Sequence, residues 1–333
     1  MNPTRLQPVL ITGCSSGIGK ACALRLARHG WIVYAAVREP AHTPDLHAGG
    51  CRTVLLDVTD ETSMSEAVNV IEAEHGQVGA VVHNAGTSLV GPVENLTLDA
   101  LRNQFEVHVA GPLHLTQLVL PGMRAAGQGR IIVIGSMGAR FPVPLLGGYT
   151  AAKAAAAVLA EVLRTEVQPF GVDVSVLEPG FVRTAFLAGA AHSAIDAEHQ
   201  AESDDPYQGA VRTYRAILQD TDRRLNTIPK PKNDLPAAAR LGATLLALAC
   251  ADPERVAARI EHALTTKRPA PRRLVTGHAR LAALAAQALP ARQWDTLART
   301  LLTGATPHSG QVSGTRAGTD RETGVAVKSS DNR

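Results

Sequence analysis

Tyr149 and Lys153 carry side chains that can exchange a proton with a substrate, and they are four residues apart in the sequence. On a helix, that spacing puts both side chains on one face, one turn apart. A lysine ammonium beside a phenol favours the phenolate and lowers the phenol pKa, which is near 10 in isolation. A tyrosine tuned in this way can act as general acid or base toward an alcohol at neutral pH. The spacing also occurs by chance on many surface helices, so its meaning depends on the residues around it.

A glycine-rich turn near the N-terminus gives the tyrosine–lysine pair a context. Gly13, Gly17 and Gly19 lie between an apolar segment, Val9–Ile11, which predicts a buried strand, and residues 20–29, which predict a helix. Strand, glycine turn and helix together are typical of dinucleotide binding. Gly13 would permit the tight turn, Gly17 would let the backbone approach a pyrophosphate, and Gly19 would let the helix pack closely. The helix N-terminus would face the phosphates with free N–H groups. An ordinary Gly/Ser loop is the alternative for the turn taken alone.

Further motifs follow in the order of a known family. They are Asp57-Val58, His83-Asn84-Ala85-Gly86, Ile134-Gly135-Ser136 and Glu178-Pro179-Gly180-Phe181-Val182-Arg183-Thr184. With these motifs the chain resembles the short-chain dehydrogenase/reductase family, specifically over about residues 8–185 and more loosely to about 300. Residues 104–107, residues 120–124 and the Pro-Val-Pro-Leu stretch after Ser136 most resemble the 17β-hydroxysteroid and retinol dehydrogenase branch.

The resemblance implies a catalytic triad of Ser136, Tyr149 and Lys153. Ser136 would hydrogen-bond the substrate oxygen, Tyr149 would be the acid in reduction and the base in oxidation, and Lys153 would hold the nicotinamide ribose and tune Tyr149. A nicotinamide cofactor would supply the hydride. Besides Tyr149 and Lys153, the residues that the resemblance and the turn assign to the cofactor are Gly13, Ser15, Ser16, Gly17, Ile18, Gly19, Arg38, Asp57, Val58, Asn84, Ala85, Gly86, Pro179, Gly180, Val182 and Thr184.

His108 departs from the family pattern, which usually has asparagine at this position. In the family that asparagine helps to hold a water next to the lysine, as part of a proton relay. A histidine can also relay protons, because its pKa lies near neutrality. Alternatively, His108 fills the space and bonds a backbone carbonyl. The sequence leaves both interpretations open.

Cofactor choice is expected to depend on the end of the second strand. A carboxylate there would bond a ribose 2′-hydroxyl, whereas here Ala36 and Val37 are followed by Arg38. An arginine can hold a 2′-phosphate through bidentate hydrogen bonds, and Ser16 is a possible helper. Glu39 could neutralise Arg38, so NADP(H) is favoured over NAD(H) without NAD(H) being excluded.

Composition excludes several classes of protein. The 333 residues carry a net charge of only +3, and aromatic residues make up 3%, which argues against nucleic-acid binding. The four cysteines have no C-x-x-C spacing, so we expect neither a metal site nor a redox dithiol, and a cytoplasmic location fits best. The first strand begins within about eight residues, which predicts no signal peptide. No apolar segment is long enough for an integral membrane span.

Strands and helices alternate along the chain, which predicts a Rossmann-type, doubly wound parallel sheet with helices on both faces. We expect a single dinucleotide-binding catalytic domain over residues 1–303 and a disordered tail over 304–333. Within the domain, residues 186–235 interrupt the alternation and are interpreted as a substrate lid, or alternatively as an unrelated surface excursion. Residues 278–303 predict one or two amphipathic helices, interrupted at Pro290, whose Leu/Ala face packs on the domain. One continuous helix is expected over residues 99–120.

The sequence therefore predicts an NAD(P)-dependent oxidoreductase that interconverts an alcohol and a ketone or aldehyde on a lipophilic substrate such as a steroid, retinoid or acyl chain. A non-catalytic dinucleotide-binding regulator would bind the cofactor without turnover. An isomerase or dehydratase on the same fold would give a product without net cofactor oxidation or reduction. By resemblance we expect a homodimer or homotetramer, through helices 99–120 and 148–168.

Overall fold

One parallel sheet forms the centre of the computed structural model, which describes residues 8–201, 204–226 and 250–303. Its strands are β1 (Val9–Ile11), β2 (Val33–Val37), β3 (Arg52–Leu55), β4 (Ala80–His83), β5 (Gly129–Ile134), β6 (Val172–Glu178) and β7 (Arg272–Leu274). They lie in the order β3-β2-β1-β4-β5-β6-β7, and every neighbouring pair is parallel. The strand order reverses between β1 and β4, which is where ligands bind in sheets of this kind. The predicted Rossmann-type fold is confirmed.

Helices cover both faces of the sheet, and successive side chains of each strand point alternately to those two faces. They are α1 (Gly17–Arg28), α2 (Thr43–Ala48), α3 (Glu61–His75), α4 (Leu98–Phe105), α5 (Gly111–Ala125), α6 (Gly147–Val167), α7 (Ala185–Gln200), α8 (Gln208–Asn226), α9 (Pro253–Thr265), α10 (Gly277–Ala288) and α11 (Ala291–Thr303). In β1, Val9 and Ile11 pack in the core with α1 and α9, whereas Leu10 packs on the other side with α3, α5 and α6. The sheet is therefore buried on both faces.

The helix expected over residues 99–120 is interrupted. α4 ends at Phe105, a π-helical turn spans Glu106–Ala110, and α5 begins at Gly111. At Gly111 the helix approaches the loop after β3 so closely that an added Cβ would lie 2.0 Å from the carbonyl oxygen of Val58. A π-turn inserts an extra residue and is frequent at functional sites. Here it contains His108, whose side chain is buried.

The segment interpreted as a lid consists, where the structure describes it, of α7 and α8. These helices pack against each other through an apolar cluster that includes Leu187, Ala190, Val211 and Tyr214. Val90, in the loop after β4, belongs to the same cluster. Residues 202–203 and 227–235 of the predicted lid lie outside the described residues, as does the tail predicted over 304–333.

The C-terminal helices α10 and α11 are separated at Pro290, as expected. It is mainly the alanines of α10 that face the domain: Ala279 and Ala283 are buried, whereas Leu281 and Leu284 are 71% and 62% exposed. Trp294 of α11 packs edge-on against Phe141, with ring centroids 4.9 Å apart, and its indole N–H donates to the carbonyl of Pro142 at 3.3 Å. The C-terminal helices are thus attached to the segment that follows Ser136.

The described part of the chain contains neither a candidate membrane-spanning helix nor a candidate metal site. None of its helices combines the length and apolar character that a bilayer crossing requires. No group of three or more His, Cys, Asp or Glu side chains within it is arranged to hold a metal ion.

Candidate active site

A cavity of about 750 Å³ lies at the carboxyl ends of the strands, where the strand order reverses. Ser136 follows β5, Tyr149 and Lys153 lie in α6, and the Gly13 turn follows β1. All the predicted site residues line this cavity except Gly19. The cavity therefore brings together side chains that are distant in sequence, because parallel strands all end at the same edge of the sheet.

The glycine turn has the geometry of a phosphate cradle. Gly13 and Gly17 have φ angles of 71° and 58°, which glycine adopts without strain. A Cβ at Gly13 would lie 2.8 Å from the Cα of Ala85, and one at Gly17 would lie 2.9 Å from Cγ2 of Thr184. Gly19 lies away from the cavity, but a Cβ there would come within 2.3 Å of the carbonyl oxygen of Gly13. Gly19 therefore packs closely against the turn.

The start of α1 leaves donors for an anion. Ser16 is the N-cap residue, its side chain makes no capping hydrogen bond, and the first turn holds no acidic residue. The N–H groups and the positive dipole end of this 12-residue helix suit a phosphate. Together with the glycine cradle, this donor set fits the pyrophosphate of a nicotinamide dinucleotide.

Thr12 has a role that the sequence analysis missed. Its hydroxyl accepts hydrogen bonds from the backbone N–H groups of Asn84 and Ala85, both at 3.0 Å. The Asn84 side-chain amide donates to the carbonyls of Thr12 and Gly13, at 2.9 and 3.1 Å. Asn84, which was assigned to the cofactor, therefore also holds the glycine turn against the end of β4. A hydroxyl residue next to the first glycine of the turn was the available signal.

Tyr149 is half-buried between two aromatic rings. The ring of His108 packs edge-on against it, with centroids 5.6 Å apart, and Phe186 lies 5.5 Å away on a tilted plane. Burial raises the pKa of Tyr149 to about 12, although a hydrogen bond with the Ser136 hydroxyl opposes the increase. The lowering of this pKa that was expected from Lys153 is therefore not observed.

Lys153 explains why the expected effect on Tyr149 is not observed. Its ammonium is 7% exposed and donates a 2.8 Å hydrogen bond to the carbonyl of Ile134, the last residue of β5. Burial lowers the pKa of Lys153 to about 8. A lysine with this pKa is still mostly protonated at pH 7, but a charged group beside it in the cavity would readily change its protonation.

His108 bonds a backbone carbonyl. Its Nε2 lies 2.9 Å from the carbonyl oxygen of Thr87, and its ring packs so closely on Gly86 that a Cβ there would be 2.7 Å from Cε1. Burial, with the nearby Lys153 charge, lowers the pKa of His108 to about 3. The ring is therefore neutral at physiological pH. This geometry agrees with the space-filling interpretation of His108 rather than with a relay that ionises near neutrality.

The end of the cavity at β2 holds Arg38, the residue expected to select the cofactor. Asp57, expected to contact the cofactor, also lines the cavity. Glu39, which was considered as a neutralising partner for Arg38, instead lies 3.9 Å from the imidazole of His42. Asp57 accepts hydrogen bonds from the backbone and hydroxyl of Thr59, at 2.9 and 2.8 Å, which fixes its side chain at the strand end.

The opposite end of the cavity has apolar walls. The apolar residues that line the cavity there are Val143, Leu146, Phe181, Val182, Phe186 and Leu187. Phe141 packs outside it against Trp294. Tyr214 and Leu218 of α8 also line the cavity, and no motif in the sequence had marked them.

His278, at the start of α10, also supports the site and was missed. Its Nε2 accepts a hydrogen bond from the backbone N–H of Phe181 at 2.8 Å, and its ring stacks on that of Phe181. The Thr276 hydroxyl accepts from the N–H of Gly180 at 3.1 Å. The loop that begins with Pro179 and Gly180, the Pro-Gly loop, is therefore held by a segment about one hundred residues further along the chain.

Comparisons with known proteins agree with this geometry. Residues 7–194 match the family described as short chain dehydrogenase. The chain is 37% identical to 3-ketodihydrosphingosine reductase of Bacteroides thetaiotaomicron, over 54% of this chain and 65% of that protein. It is 39% identical to human 17-beta-hydroxysteroid dehydrogenase type 1, over 54% and 58%. It is 31% identical to retinol dehydrogenase 5 of Mus musculus, over 86% of each.

The chain spans less than two thirds of the length of two of these relatives, the reductase and the steroid dehydrogenase. Among solved structures, a short-chain dehydrogenase from Streptomyces avermitilis superposes with a TM-score of 0.65 and 28% identity, over 87% of this chain and 97% of that one. The expected resemblance is therefore confirmed, and with it the class of oxidoreductase and the binding of NAD(P)(H) that this fold provides. The chain belongs to the short-chain dehydrogenase family.

Proposed function

We propose that the protein interconverts a carbonyl group and an alcohol on a lipophilic substrate, with NADP(H) favoured over NAD(H). The observation that carries the proposal is the meeting of Ser136, Tyr149 and Lys153 in one cavity, beside apolar side chains such as Phe186. NAD(P)(H), when bound, supplies or accepts the hydride. The protein residues must then position the substrate oxygen and exchange its proton.

Tyr149 is the proposed acid. A phenol with a pKa of about 12 keeps its proton at neutral pH, so it can donate that proton to a carbonyl oxygen as negative charge develops there. Ser136, whose hydroxyl acts to lower the pKa of Tyr149, would donate to the same oxygen. Lys153 would hold the cofactor ribose, and its ammonium would then favour the phenolate that the reaction leaves behind.

NADP(H) preference is supported by Arg38. The residue is exposed at the end of β2 and lines the cavity, and no ion pair of its guanidinium occurs in the described segments. It is therefore available for the bidentate contact that a 2′-phosphate offers. Ser15 and Ser16 line the same end of the cavity.

A lipophilic substrate is supported by the apolar walls and by the relatives. Phe181, Phe186 and Leu187 line the cavity near Tyr149, and Leu218 adds a further apolar side chain from α8. The named relatives are described by a ketosphingoid base, a hydroxysteroid and retinol, all of which are lipophilic. In this proposal α7 and α8 serve as the substrate lid within the catalytic domain of residues 1–303.

Assembly into a homodimer or homotetramer in the cytoplasm completes the proposal. The outer face of α6 exposes Val158, Leu159 and Val162, which are 56%, 43% and 49% exposed, and Leu113 of α5 is 42% exposed. Such an apolar stripe suits contact with a second copy. All four cysteines are free, as a reducing compartment requires.

The test uses a panel of lipophilic ketones and aldehydes, including 3-ketodihydrosphingosine, a 17-ketosteroid and all-trans-retinal, with NADPH and NADH in parallel. Oxidation of the cofactor is followed by absorbance of the reduced nicotinamide. We expect turnover of at least one member with NADPH, and loss of turnover on the order of 10²- to 10⁴-fold in Tyr149→Phe. Tyr207→Phe is the matched control, because Tyr207 lies outside the cavity and bonds Glu94 on the surface. Near wild-type turnover in a folded Tyr149→Phe protein would contradict the assignment.

A further inference from the structure

Glu178 is a fully buried carboxylate between two arginines. It is the last residue of β6, and its side chain has no solvent exposure. Arg140 Nε donates to one carboxylate oxygen at 2.5 Å. Arg272 donates to the other oxygen from Nε at 2.8 Å, and its second guanidinium nitrogen lies 2.6 Å away. Both oxygens therefore carry charge-assisted hydrogen bonds, which are the strong and directional kind.

The partners of Glu178 come from the segments that build the active site. Arg140 is four residues after Ser136 and follows a short 3-10 helix over Met137–Ala139. Arg272 begins β7, and its guanidinium also lies 3.4 Å from Glu161 of α6, the helix that carries Tyr149 and Lys153. Glu178 itself precedes Pro179 of the Pro-Gly loop. One buried carboxylate thus connects the serine segment, the tyrosine helix and the Pro-Gly loop.

The backbone around Ser136 packs directly on Glu178. A Cβ at Gly135 would lie 3.1 Å from Cγ of Glu178, so this side chain occupies the space beside the residue that precedes Ser136. The backbone N–H of Gly135 donates to the carbonyl of Leu177 at 2.8 Å. The backbone N–H of Met137 donates to the carbonyl of Pro179 at 2.9 Å. Ser136 is therefore held on both sides by the end of β6.

From this geometry we propose that Glu178 is a positioning residue, which, through Arg140 and Arg272, fixes the Ser136 hydroxyl relative to Tyr149. Glu178 does not line the cavity, so it acts through the segments that do. The proposal rests on the function proposed above, in which Ser136 and Tyr149 share the substrate oxygen. Misplacement of reacting groups by about 1 Å costs on the order of 10²-fold in rate, so loosening this contact is expected to reduce kcat.

The test compares two carboxylates at opposite ends of β6. Asp173, near the amino end, pairs with buried Arg130 of β5 at 3.0 Å and lies far from the cavity lining. Glu178→Gln and Asp173→Asn each replace a carboxylate that is paired with arginine by an amide of the same shape. The measurements are the unfolding midpoint, kcat and KM for the panel member that the wild type reduces fastest, and the ¹³C chemical shift of Tyr149 Cζ at fixed pH.

The chemical shift reports the effect of the Ser136 hydroxyl on Tyr149 without any substrate. The signals of the four tyrosines are assigned with Tyr149→Phe, and Ser136→Ala gives the shift of Tyr149 without its partner. We expect Glu178→Gln to lower kcat by about tenfold or more and to move the shift toward that of Ser136→Ala. Asp173→Asn should change the unfolding midpoint and leave kcat and the shift as in the wild type. Equal effects of the two variants on kcat and on the shift, or no effect of Glu178→Gln on either, would overturn the proposal.

Arg140 provides the second comparison if Glu178→Gln does not fold. Its side chain is 27% exposed, and without it the buried Glu178 carboxylate is still paired with Arg272. Arg140→Gln should reproduce the loss of kcat, and Arg140→Lys should restore part of it, since lysine keeps the charge but not the fork. Unchanged kcat and chemical shift in Arg140→Gln would count against the proposal. If the wild type reduces no panel member, the proposed function fails, and the chemical shift still decides whether Glu178 positions Ser136.

Discussion

Replacing Lys153 with methionine should stabilise the folded protein while removing its activity. The Lys153 side chain is 7% exposed, and burial lowers its pKa from 10.5 to about 8. Each pKa unit corresponds to about 1.36 kcal/mol, so burying the ammonium costs about 3 kcal/mol below pH 8. Methionine avoids this cost but loses the hydrogen bond to the Ile134 carbonyl, worth about 1 kcal/mol. We therefore expect Lys153→Met to be about 2 kcal/mol more stable than the wild type at pH 7.

The pH dependence gives this prediction its sign. Between pH 8 and 10.5 the unfolded wild type binds more protons at Lys153 than the native protein does, so wild-type stability rises with pH over this window. Methionine does not titrate, and other groups contribute equally to both proteins. The stability advantage of Lys153→Met should therefore be complete below pH 8 and disappear toward pH 10.5.

Urea unfolding followed by fluorescence of the buried Trp31 measures this difference at pH 7, 8, 9 and 10. Lys20→Met is the matched control, because Lys20 is partly exposed and pairs with Asp45 on the surface. It should change stability little and with no trend over the same window. A Lys153→Met protein less stable than the wild type at pH 7, or a stability difference that is the same at pH 7 and pH 10, would refute the reasoning. A confirmed gain would mean that this enzyme gives up stability for the charge in its active site.

Three further predictions concern the rest of the cavity. Arg38→Ala should weaken NADPH binding by about one to two decades and leave NADH binding nearly unchanged, as measured by nicotinamide fluorescence. Arg102→Ala is the surface control. Equal weakening of the binding of both cofactors would contradict the role of Arg38. His108→Leu should lower stability by about 1–3 kcal/mol, because the Thr87 carbonyl loses its hydrogen-bond partner. It should keep kcat and the pH profile of kcat. Loss of an ionisation near neutral pH from that profile would instead restore the relay interpretation. Gly19→Ala should lower the stability of the protein by about 1–3 kcal/mol by overpacking against Gly13, and it should weaken the binding of both cofactors. Gly209→Ala is the control, because no atom lies within 4 Å of the added Cβ. It should change neither quantity in the same unfolding and binding measurements.

The sequence was sufficient to predict the site wherever a motif tied chemistry to a strand end. Gly13, Asn84, Ser136 and Pro179 each follow a strand of the sheet, and parallel strands bring such positions to one edge. The helical spacing of Tyr149 and Lys153 was likewise predictable, because α6 covers both residues. These inferences need only local pattern and the rule that ligands bind at carboxyl ends.

What the sequence did not reveal depends on tertiary contacts. The π-turn around His108 interrupts a segment whose apolar pattern is continuous, because Gly111 packs against the Val58 backbone, which no local pattern records. The raised pKa of Tyr149 follows from burial, and Lys153 bonds a carbonyl rather than acting on the phenol. Glu178 belonged to a recognised motif, but its two arginine partners lie 38 and 94 residues away.

The attachment of the C-terminal helices to the site has a consequence for how the chain is made. His278 and Trp294 hold the Pro-Gly loop and the segment after Ser136, yet they are synthesised well over one hundred residues after the glycine turn. A chain leaves the ribosome N-terminal part first, and domains generally fold as units. Every residue that lines the cavity is therefore synthesised before α10 and α11, the two helices that support the cavity from outside.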